Sequence, residues 1–188
     1  MSAETAPIAV DGAARPEQTA NMNADDRPAP LIAALGPALG PAPGMVLARG
    51  VCRFLIDEGF APVCEFSPAK GLRCDVLALG PKGEVWVVEC KSSLTDFRSD
   101  GKWPGYAPWC DRLFFAVDAA FPDHVLPEDH GLIRADGFGA AILRMPDPRP
   151  LPAARRKALS LRVARGAALR LRGMLDPGAR AFSLSGAG

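Results

Sequence analysis

The sequence predicts an α/β fold in which helices flank a mixed central sheet and a basic helix follows at the C-terminus. Two observations predict this class. Segments with apolar residues at helical spacing alternate along the chain with short segments rich in Val and aromatic residues. Their order is one helix, three strands, a broken helix, one strand, a hairpin and a last helix. This order is typical of helices packed against a mixed sheet.

The chain divides into a tail, one domain and a second short tail. Residues 1–43 are rich in Ala and Pro and poor in aromatic residues. Such a segment cannot bury enough apolar surface to offset the entropy of ordering it, so we expect a disordered tail. Residues 44–176 are predicted to form a single domain, in which residues 152–176 form the basic C-terminal helix. Residues 177–188 are expected to form a flexible tail.

Each predicted element has its own local signal. Apolar residues at helical spacing predict a helix over residues 45–58, and Gly59 ends it. Residues 92–109 are predicted to be helical but interrupted by glycine and proline, with Ser93 and Asp96 resembling a capping box. The predicted strands cover residues 61–66, 72–79, 85–90, 112–117, 131–133 and 139–144.

The last helix carries a charge asymmetry that the net charge of +1 conceals. Residues 1–44 have a net charge of −3, residues 45–151 also −3, and residues 152–188 +7. Basic side chains crowded without an acidic neighbour favour an anionic partner, and DNA phosphates would give salt-sensitive affinity independent of base sequence. The basic residues of the helix are Arg155, Arg156, Lys157, Arg162, Arg165, Arg170 and Arg172.

An apolar stripe runs along the same helix at spacings of three and four residues. It is too rich in Ala to favour insertion into a membrane surface, so nucleic acid is preferred over lipid as the partner. The stripe consists of Ala154, Ala158, Leu161, Ala164, Ala168, Leu171 and Leu175.

Other features exclude several classes of protein. No segment is apolar over the roughly 18 residues that a membrane span needs, and the N-terminus lacks a secretory pattern, so we expect a cytoplasmic protein that is nucleoid-associated when on DNA. The five cysteines lack the paired spacing of zinc sites and lie in apolar runs, which predicts structural thiols. His124 and His130 lie in a Pro-rich loop and are expected to be exposed rather than catalytic.

Two acids and a lysine meet on the hairpin formed by the second and third predicted strands. Side chains alternate along a strand, so Glu89 and Lys91 project from one face. If the turn spans residues 80–84, the numbers of paired residues sum to 164 and Asp75 lies opposite Glu89. A shift of one residue would put the two carboxylates on opposite faces.

Two carboxylates this close would share a proton unless a cation lay between them, and Mg²⁺ prefers such oxygen ligands. Lys91 would place a positive charge near the attacking water or near the charge that develops on phosphorus. In the alternative interpretation, Asp75 and Glu89 are ordinary charges paired with Arg73 and Lys91. The apolar strand that leads directly into Glu89 favours the functional interpretation, because buried strands rarely end in unpaired charge.

The spacing of these residues resembles a known nuclease motif. Asp75, followed after thirteen residues by Glu89-Cys90-Lys91, is similar to the PD-(D/E)xK motif, with Cys74 in place of the usual Pro. Three longer segments resemble the MmcB family of bacterial DNA-repair proteins, and the likeness spans about residues 45–175. These segments are VVECKSSLTDFRSDGKWPGYAPWCDRLFFAV, GLIRADGFGAAILR and ARRKALSLR.

The resemblance implies a restriction-endonuclease-like αβββαβ core, dependence on Mg²⁺ or Mn²⁺, and a role in the repair of damaged DNA. It implies that Asp75, Glu89 and the backbone carbonyl of Cys90 bind the metal, and that Lys91 acts as base or stabiliser. The superfamily often adds an acid from outside the hairpin. Glu65 is the preferred candidate for it, and Glu58 is the alternative.

Basic and aromatic residues follow the motif closely. Arg98 and Lys102 are candidate DNA contacts, together with Arg155, Arg156, Lys157 and Arg162 of the last helix. Trp103, Tyr106 and Trp109 are spaced by three residues, which favours packing against the sheet over stacking on bases.

Three functional hypotheses follow. The first is a Mg²⁺-dependent DNA endonuclease that hydrolyses phosphodiester bonds in repair. The second is a catalytically inactive nuclease-fold module that binds DNA or recruits other proteins, and the third, weaker one is a phosphodiesterase with a small substrate. Repair-protein partners and a homodimer are left open by the sequence.

Overall fold

The computed structural model describes residues 42–177, which all belong to one compact unit. The predicted tails therefore lie outside the described residues, apart from residues 42, 43 and 177. Among the described residues, no helix is long and apolar enough to cross a membrane. The first helix begins at Pro43, one residue before the predicted domain boundary.

The elements follow the predicted order. The helices are α1 (Pro43–Asp57), α2 (Leu94–Ser99) and α3 (Ala153–Leu175). The strands are β1 (Ala61–Phe66), β2 (Cys74–Leu79), β3 (Val85–Lys91), β4 (Arg112–Val117), β5 (Gly131–Ala135) and β6 (Ala140–Arg144). The predicted broken helix is confirmed, because α2 is followed by a 3₁₀ segment, Trp103–Trp109, and a second 3₁₀ segment covers Asp123–Val125.

The six strands form one mixed sheet in the order β1-β2-β3-β4-β5-β6. Strands β1 and β3 are each antiparallel to the β2 strand between them, β3, β4 and β5 run parallel, and β6 is antiparallel to β5. The predicted α/β class with a mixed sheet flanked by helices is confirmed. The run α1-β1-β2-β3-α2-β4 has the αβββαβ order.

Helix α1 covers one face of the sheet because its apolar residues recur at helical spacing. Leu47, Val51 and Leu55 are buried against a cluster that includes Val88 of β3 and Phe114 of β4. The opposite face of the sheet is covered in part by α3. Since both faces are covered, the central strand β3 is buried along almost its whole length.

The buried face of α3 is not the predicted apolar stripe. Leu159, Val163 and Gly166 are the buried residues of the helix, whereas the stripe's Leu161 and Leu171 are 56% and 57% exposed. The other face packs because arginines flank it and bond to main-chain carbonyls across the interface. These contacts join Arg162 to Pro68 and Ser67, and Arg170 to Cys64 and Glu65.

Two other expectations are corrected in part. His124 is exposed as predicted, but His130 is buried between Trp103 and Phe115, and its Nδ1 lies 2.6 Å from Asp129 Oδ1. Three of the five cysteines (74, 90 and 110) are buried thiols as expected. The other two, Cys52 of α1 and Cys64 of β1, are partly or fully exposed, with their sulfurs 3.4 Å apart.

Candidate active site

The hairpin of β2 and β3 has the predicted register. Val76 pairs with Val88 and Leu79 with Val85, so the numbers of paired residues sum to 164. Two residues before Leu77 on the same strand, Asp75 lies beside Glu89 at the end of this ladder. The alternation of apolar residues thus correctly predicted which side chains meet.

At that end of the hairpin, main-chain amides donate hydrogen bonds to acidic side chains instead of to carbonyls of the opposite strand. The amide of Asp75 donates to Glu89 Oε1 at 3.2 Å, and the amide of Cys90 donates to Asp75 Oδ2 at 2.8 Å. Each carboxylate is therefore fixed by the backbone of the opposite strand. Asp75 Oδ1 makes no hydrogen bond within the described part of the chain and remains able to bind a ligand.

Lys91 is held between two acids. Its Nζ donates to Glu89 Oε2 at 3.2 Å and also to Asp100 Oδ2, on the residue that ends α2. Glu89 and Lys91 are only 3% and 4% exposed. The short helix α2 therefore matters to the site, since its C-terminal end brings in a third carboxylate.

Burial sets the protonation of these groups. It raises the pKa of Glu89 to about 7, with a further contribution from the negative charge of Asp75, against the opposing effect of Lys91. Burial also raises the pKa of Asp75, although the bond from the Cys90 amide acts the other way. For Lys91, burial favours the neutral amine, but its bonds to Asp100 and Glu89 outweigh this and raise its pKa. Lys91 is therefore an ammonium ion in this site.

The acids open into a cavity of about 690 Å³. Its walls come from the first turns of α1, from β1, from the strand ends and from the segment after α2. The Cys90 carbonyl oxygen faces the first turn of α1, 3.9 Å from the place that a Cβ on Gly44 would occupy. Its lining residues include Arg49, Glu65, Arg73, Asp75, Glu89, Cys90, Lys91, Asp96, Asp100 and Lys102.

The two candidates for an additional acid are separated by the fold. Glu65 lines the cavity, but its carboxylate pairs with Arg73 Nε at 2.8 Å and is half exposed. Glu65 also has a positive φ of 52°, a conformation that only a few per cent of non-glycine residues adopt. Glu58 ends α1, at the opposite end of the helix from the cavity-lining first turn, so it is not part of this site.

The donor set fits a divalent cation by its charge and chemistry. Within residues 42–177, no three His, Cys, Asp or Glu side chains are grouped to hold a metal ion. Mg²⁺, however, commonly takes only one or two carboxylates, with water and substrate phosphate completing its shell. Asp75 and Glu89 would supply these carboxylates, and the Cys90 carbonyl borders the same cavity. When Asp75, Glu89 and Asp100 are ionised, Lys91 balances one of three negative charges, which leaves two.

Basic residues surround the mouth of the cavity. Lys102, a candidate DNA contact from the sequence, is exposed and lines it, and Arg49 and Arg73 line it as well. Arg98 is exposed in the last turn of α2 but is not among the lining residues. Arg49 and Lys102 make no ion pair within the described residues, so both charges remain able to meet a phosphate.

The aromatic residues after the motif pack as predicted. Tyr106 is buried and its hydroxyl donates to the Arg73 carbonyl at 2.7 Å. Trp103 meets Phe115 edge-on with ring centres 5.3 Å apart. The guanidinium carbon of Arg155 lies over the Trp109 ring, 5.2 Å from its centre. The segment thus fixes the wall of the cavity rather than presenting rings for stacking on bases.

Several basic residues of α3 have partners inside the protein, which corrects the expectation that the helix carries uncompensated charge. Arg156 makes two hydrogen bonds of 2.6 Å to the carboxylate of Asp111, and one to the Gly83 carbonyl. Arg155 donates to the Pro108 carbonyl, and Arg162 to those of Pro68 and Ser67. Lys157 remains exposed. These contacts anchor α3, so a role of Arg156 and Arg162 in DNA binding is not supported by their geometry.

Comparison with known proteins places the chain in a family. A family model described as "DNA repair protein MmcB-like" matches residues 40–178, well over half of the chain. The chain belongs to the MmcB-like family. Its role therefore lies in DNA repair, and the predicted family is confirmed. The hairpin with Asp75, Glu89 and Lys91 is compatible with the PD-(D/E)xK superfamily.

A solved structure supports the fold of this MmcB-like chain. It is the SPO1766 protein of unknown function from Silicibacter pomeroyi, which is 52% identical with a TM-score of 0.74. The match covers 77% of this chain and 99% of that one. A search of curated proteins found no match.

Four residues were not predicted from the sequence as parts of this MmcB-like site or of the contacts that hold α3 in place. Asp100, Asp96 and Arg49 line the cavity, and Asp111 anchors α3. Asp96 gives a signal as the far end of the predicted capping box. Its amide donates to Ser93 Oγ at 3.1 Å, but its carboxylate accepts from the Ser92 amide instead of the Ser93 amide, so half of the box is formed. The other three lie on separate elements, and no local spacing connects them to Lys91 or Arg156.

Proposed function

We propose that this MmcB-like protein is a Mg²⁺-dependent deoxyribonuclease of the PD-(D/E)xK type that hydrolyses phosphodiester bonds during DNA repair. The observation that carries the proposal is the pair formed by the partly buried Asp75 and the buried Glu89 in a basic-rimmed cavity, held by the main chain and left with excess negative charge. A protein that only binds DNA gains nothing from two acids placed beside phosphate, because they repel it.

The residues divide the work as follows. Asp75 and Glu89 would hold the metal, with the Cys90 carbonyl as a further ligand. When bound, Mg²⁺ polarises a phosphoryl oxygen and makes a bound water more acidic. Glu65, fixed by Arg73, stands at the cavity wall as a further acid.

We assign Lys91 the role of a cation. In the metal-free site its bonds to Asp100 and Glu89 raise its pKa, so the side chain is an ammonium ion there. Its positive charge would stabilise the negative charge that develops on phosphorus. Asp100 positions this ammonium through a direct hydrogen bond.

The DNA backbone is held at the rim. Lys102 and Arg49 supply exposed positive charge at the cavity, and the start of α1 adds the partial positive charge of a helix N-terminus. Contacts of this kind recognise phosphates and not bases, so affinity would fall with added salt. Arg98, exposed in the last turn of α2, would extend the same interaction.

A cleavage panel tests the proposal. Single-stranded, duplex, nicked, flap and branched DNA would each be incubated with Mg²⁺ or Mn²⁺ and the wild-type protein, beside Asp75→Asn, Glu89→Gln and Lys91→Met. Each variant should lower the rate on the preferred DNA by about a hundredfold or more. Glu58→Gln, which alters an exposed carboxylate away from the cavity, is the matched control and should cleave normally.

Two results would overturn the assignment. Equal cleavage by the wild type and all three variants would mean that the activity belongs elsewhere or to a contaminant. Salt-sensitive binding without cleavage of any DNA would instead support the inactive, DNA-binding form of the fold.

A further inference from the structure

The turn between β5 and β6 presents an aromatic ring to solvent. Phe138 is 78% exposed, more than any other large apolar side chain in residues 42–177. Every other aromatic side chain in that range is buried or partly buried. Because single exposed apolar side chains are common on protein surfaces, the neighbours of this ring decide what it can bind.

The turn that carries Phe138 is held rigidly. Asp136 Oδ1 accepts hydrogen bonds from the amides of Phe138 at 2.7 Å and Gly139 at 2.9 Å. The Phe138 carbonyl accepts one from Arg53 of α1 at 3.3 Å. Gly50 allows this contact, since a Cβ there would lie 2.6 Å from the Gly139 carbonyl oxygen and closer still to that of Asp136. Because the turn is fixed against α1, little conformational entropy of the Phe138 main chain is lost when a ligand binds.

Positive charge accompanies the ring. The guanidinium of Arg49 lies 5.9 Å from the centre of the Phe138 ring, and Arg53 follows one helical turn later. Arg49 also lines the cavity that holds Asp75 and Glu89. One side chain thus connects the exposed ring with the proposed catalytic cavity.

We infer that Phe138, flanked by Arg49 and Arg53, is a stacking platform for an unpaired base of the DNA substrate next to the cavity. This inference rests on the proposed function and adds the class of substrate. Proteins that bind single strands combine basic side chains with rings on which bases stack. In an intact duplex both faces of each internal base are already stacked, so a platform of this kind favours single-stranded DNA or the single-stranded part of a junction.

A protein partner is the competing occupant of this surface. A protein docking site would typically centre on a larger apolar patch depleted of charge. Here a single ring lies beside Arg49, which also lines the acidic cavity, and Arg53 bonds to the main chain of the same residue. This arrangement suits a base with its flanking phosphates.

The test is a binding measurement on the full-length protein without metal, so that no strand is cut. Fluorescence anisotropy would compare a single-stranded oligonucleotide with a blunt duplex of the same sequence. Phe138→Ala should weaken single-strand binding about tenfold and leave duplex binding nearly unchanged, whereas Phe138→Trp should restore it. Leu143→Ala, which removes another exposed apolar side chain from the same hairpin, should have no effect.

A second readout separates stacking from a structural role. A 2-aminopurine base in the single strand should lose fluorescence on binding the wild type and Phe138→Trp, and should not do so with Phe138→Ala. Equal single-strand affinity of the wild type and Phe138→Ala would overturn the inference and leave the surface to a protein partner. The inference would also be overturned if Phe138→Ala lost equal affinity for single-stranded and duplex DNA, or if the wild type bound no DNA.

The outcome of this binding test does not depend on whether the protein cleaves DNA. If the wild type cuts no DNA but Phe138→Ala selectively loses single-strand binding, the stacking platform stands and the nuclease proposal fails. If the wild type cuts DNA and Phe138→Ala binds normally, the platform alone fails.

Discussion

The Cys90 amide donates a hydrogen bond of 2.8 Å to the carboxylate of Asp75, across the end of the hairpin formed by β2 and β3. The reciprocal bond runs from the Asp75 amide to Glu89. This pair of contacts fixes both acids before any ligand arrives, because the carboxylates are anchored by backbone rather than by mobile side chains.

Metal affinity should fall as the solution becomes more acidic than about pH 7. The pKa of Glu89 is raised to about 7, so below that pH the carboxyl carries a proton that the metal must displace. Calorimetric titration of the wild type with Mn²⁺ should give weaker binding at pH ~6 than at pH ~8. Glu58→Gln should show the same pH profile, and affinity that does not change over this range would contradict the assignment of Glu89.

Removing the charge of Glu89 should stabilise the metal-free fold. Its folded pKa of about 7 lies above the ordinary value of 4.5, so the fold favours the protonated form and the free energy of unfolding decreases as pH rises from 4.5 to 7. At pH ~8, Glu89→Gln should raise the free energy of unfolding by about 1–3 kcal/mol. Denaturant titration in EDTA measures this. A lower free energy of unfolding for Glu89→Gln would contradict this prediction, because it would show that the ionised Glu89 stabilises the fold.

The register that joins Asp75 to Glu89 could be derived from the sequence because two local signals agree. The length of the turn and the alternation of apolar residues both give pairs such as Leu79 with Val85. Family resemblance added the metal and the DNA. The ends of β1 and β4 also matched the predicted strands, since short runs of apolar and β-branched residues are bounded there by Pro or Gly, or by charged residues.

Contacts between distant segments could not be derived in the same way. Helix α3 has two apolar faces, and spacing alone does not show that Leu159 and Val163 are buried while Leu161 is exposed. Arginines of α3 hold that face in place through distant partners: Arg156 bonds to Asp111, which lies 45 residues away and directly precedes β4. Asp100 reaches Lys91 only because α2 turns back beside the end of β3, which no periodicity reports.

Replacing Asp111 should lower the free energy of unfolding more than replacing an exposed acid. Asp111 accepts bonds from Arg156 and from the amides of Val85 and Leu151. Burial acts to raise its pKa, but these bonds outweigh burial and lower it. Asp111→Ala should cost about 3–5 kcal/mol, because it leaves a partly buried guanidinium and two amides unpaired.

The matched control is Asp176→Ala, which removes the exposed i,i+4 pair with Arg172 and should cost about 0.5 kcal/mol or less. Thermal or denaturant unfolding compares the two variants. The lowered pKa of Asp111 also means that its stabilisation is present above the ordinary pKa of an aspartate and is lost as the pH falls through the folded value. Equal stability of both variants would remove the structural role of Asp111.

Cys64 should be the most reactive thiol among the described residues. It is exposed, and the hydrogen bond from Cys52 together with the charge of Arg170 lowers its pKa to about 7 against the effect of partial burial. Burial raises the pKa of Cys74 and Cys90 instead. Iodoacetamide at neutral pH should therefore modify Cys64 first, as followed by mass spectrometry of the native protein.

Cys64→Ser supplies the control, because it should remove the fast phase of labelling. Labelling of Cys74 or Cys90 at the same rate as Cys64 would mean that the buried thiols are accessible and that the packing of the hairpin is wrong.

The central claim is that Asp75, Glu89 and Lys91 form a catalytic metal site. The most direct test is the Mn²⁺- or Mg²⁺-dependent nicking of supercoiled plasmid by the wild type and Glu89→Gln, purified side by side. Glu89→Gln keeps the size of the side chain and should remain folded, so a loss of nicking reports on the carboxylate itself. We predict nicking by the wild type that EDTA abolishes and that Glu89→Gln lacks. Equal metal-dependent nicking by both proteins would contradict the claim.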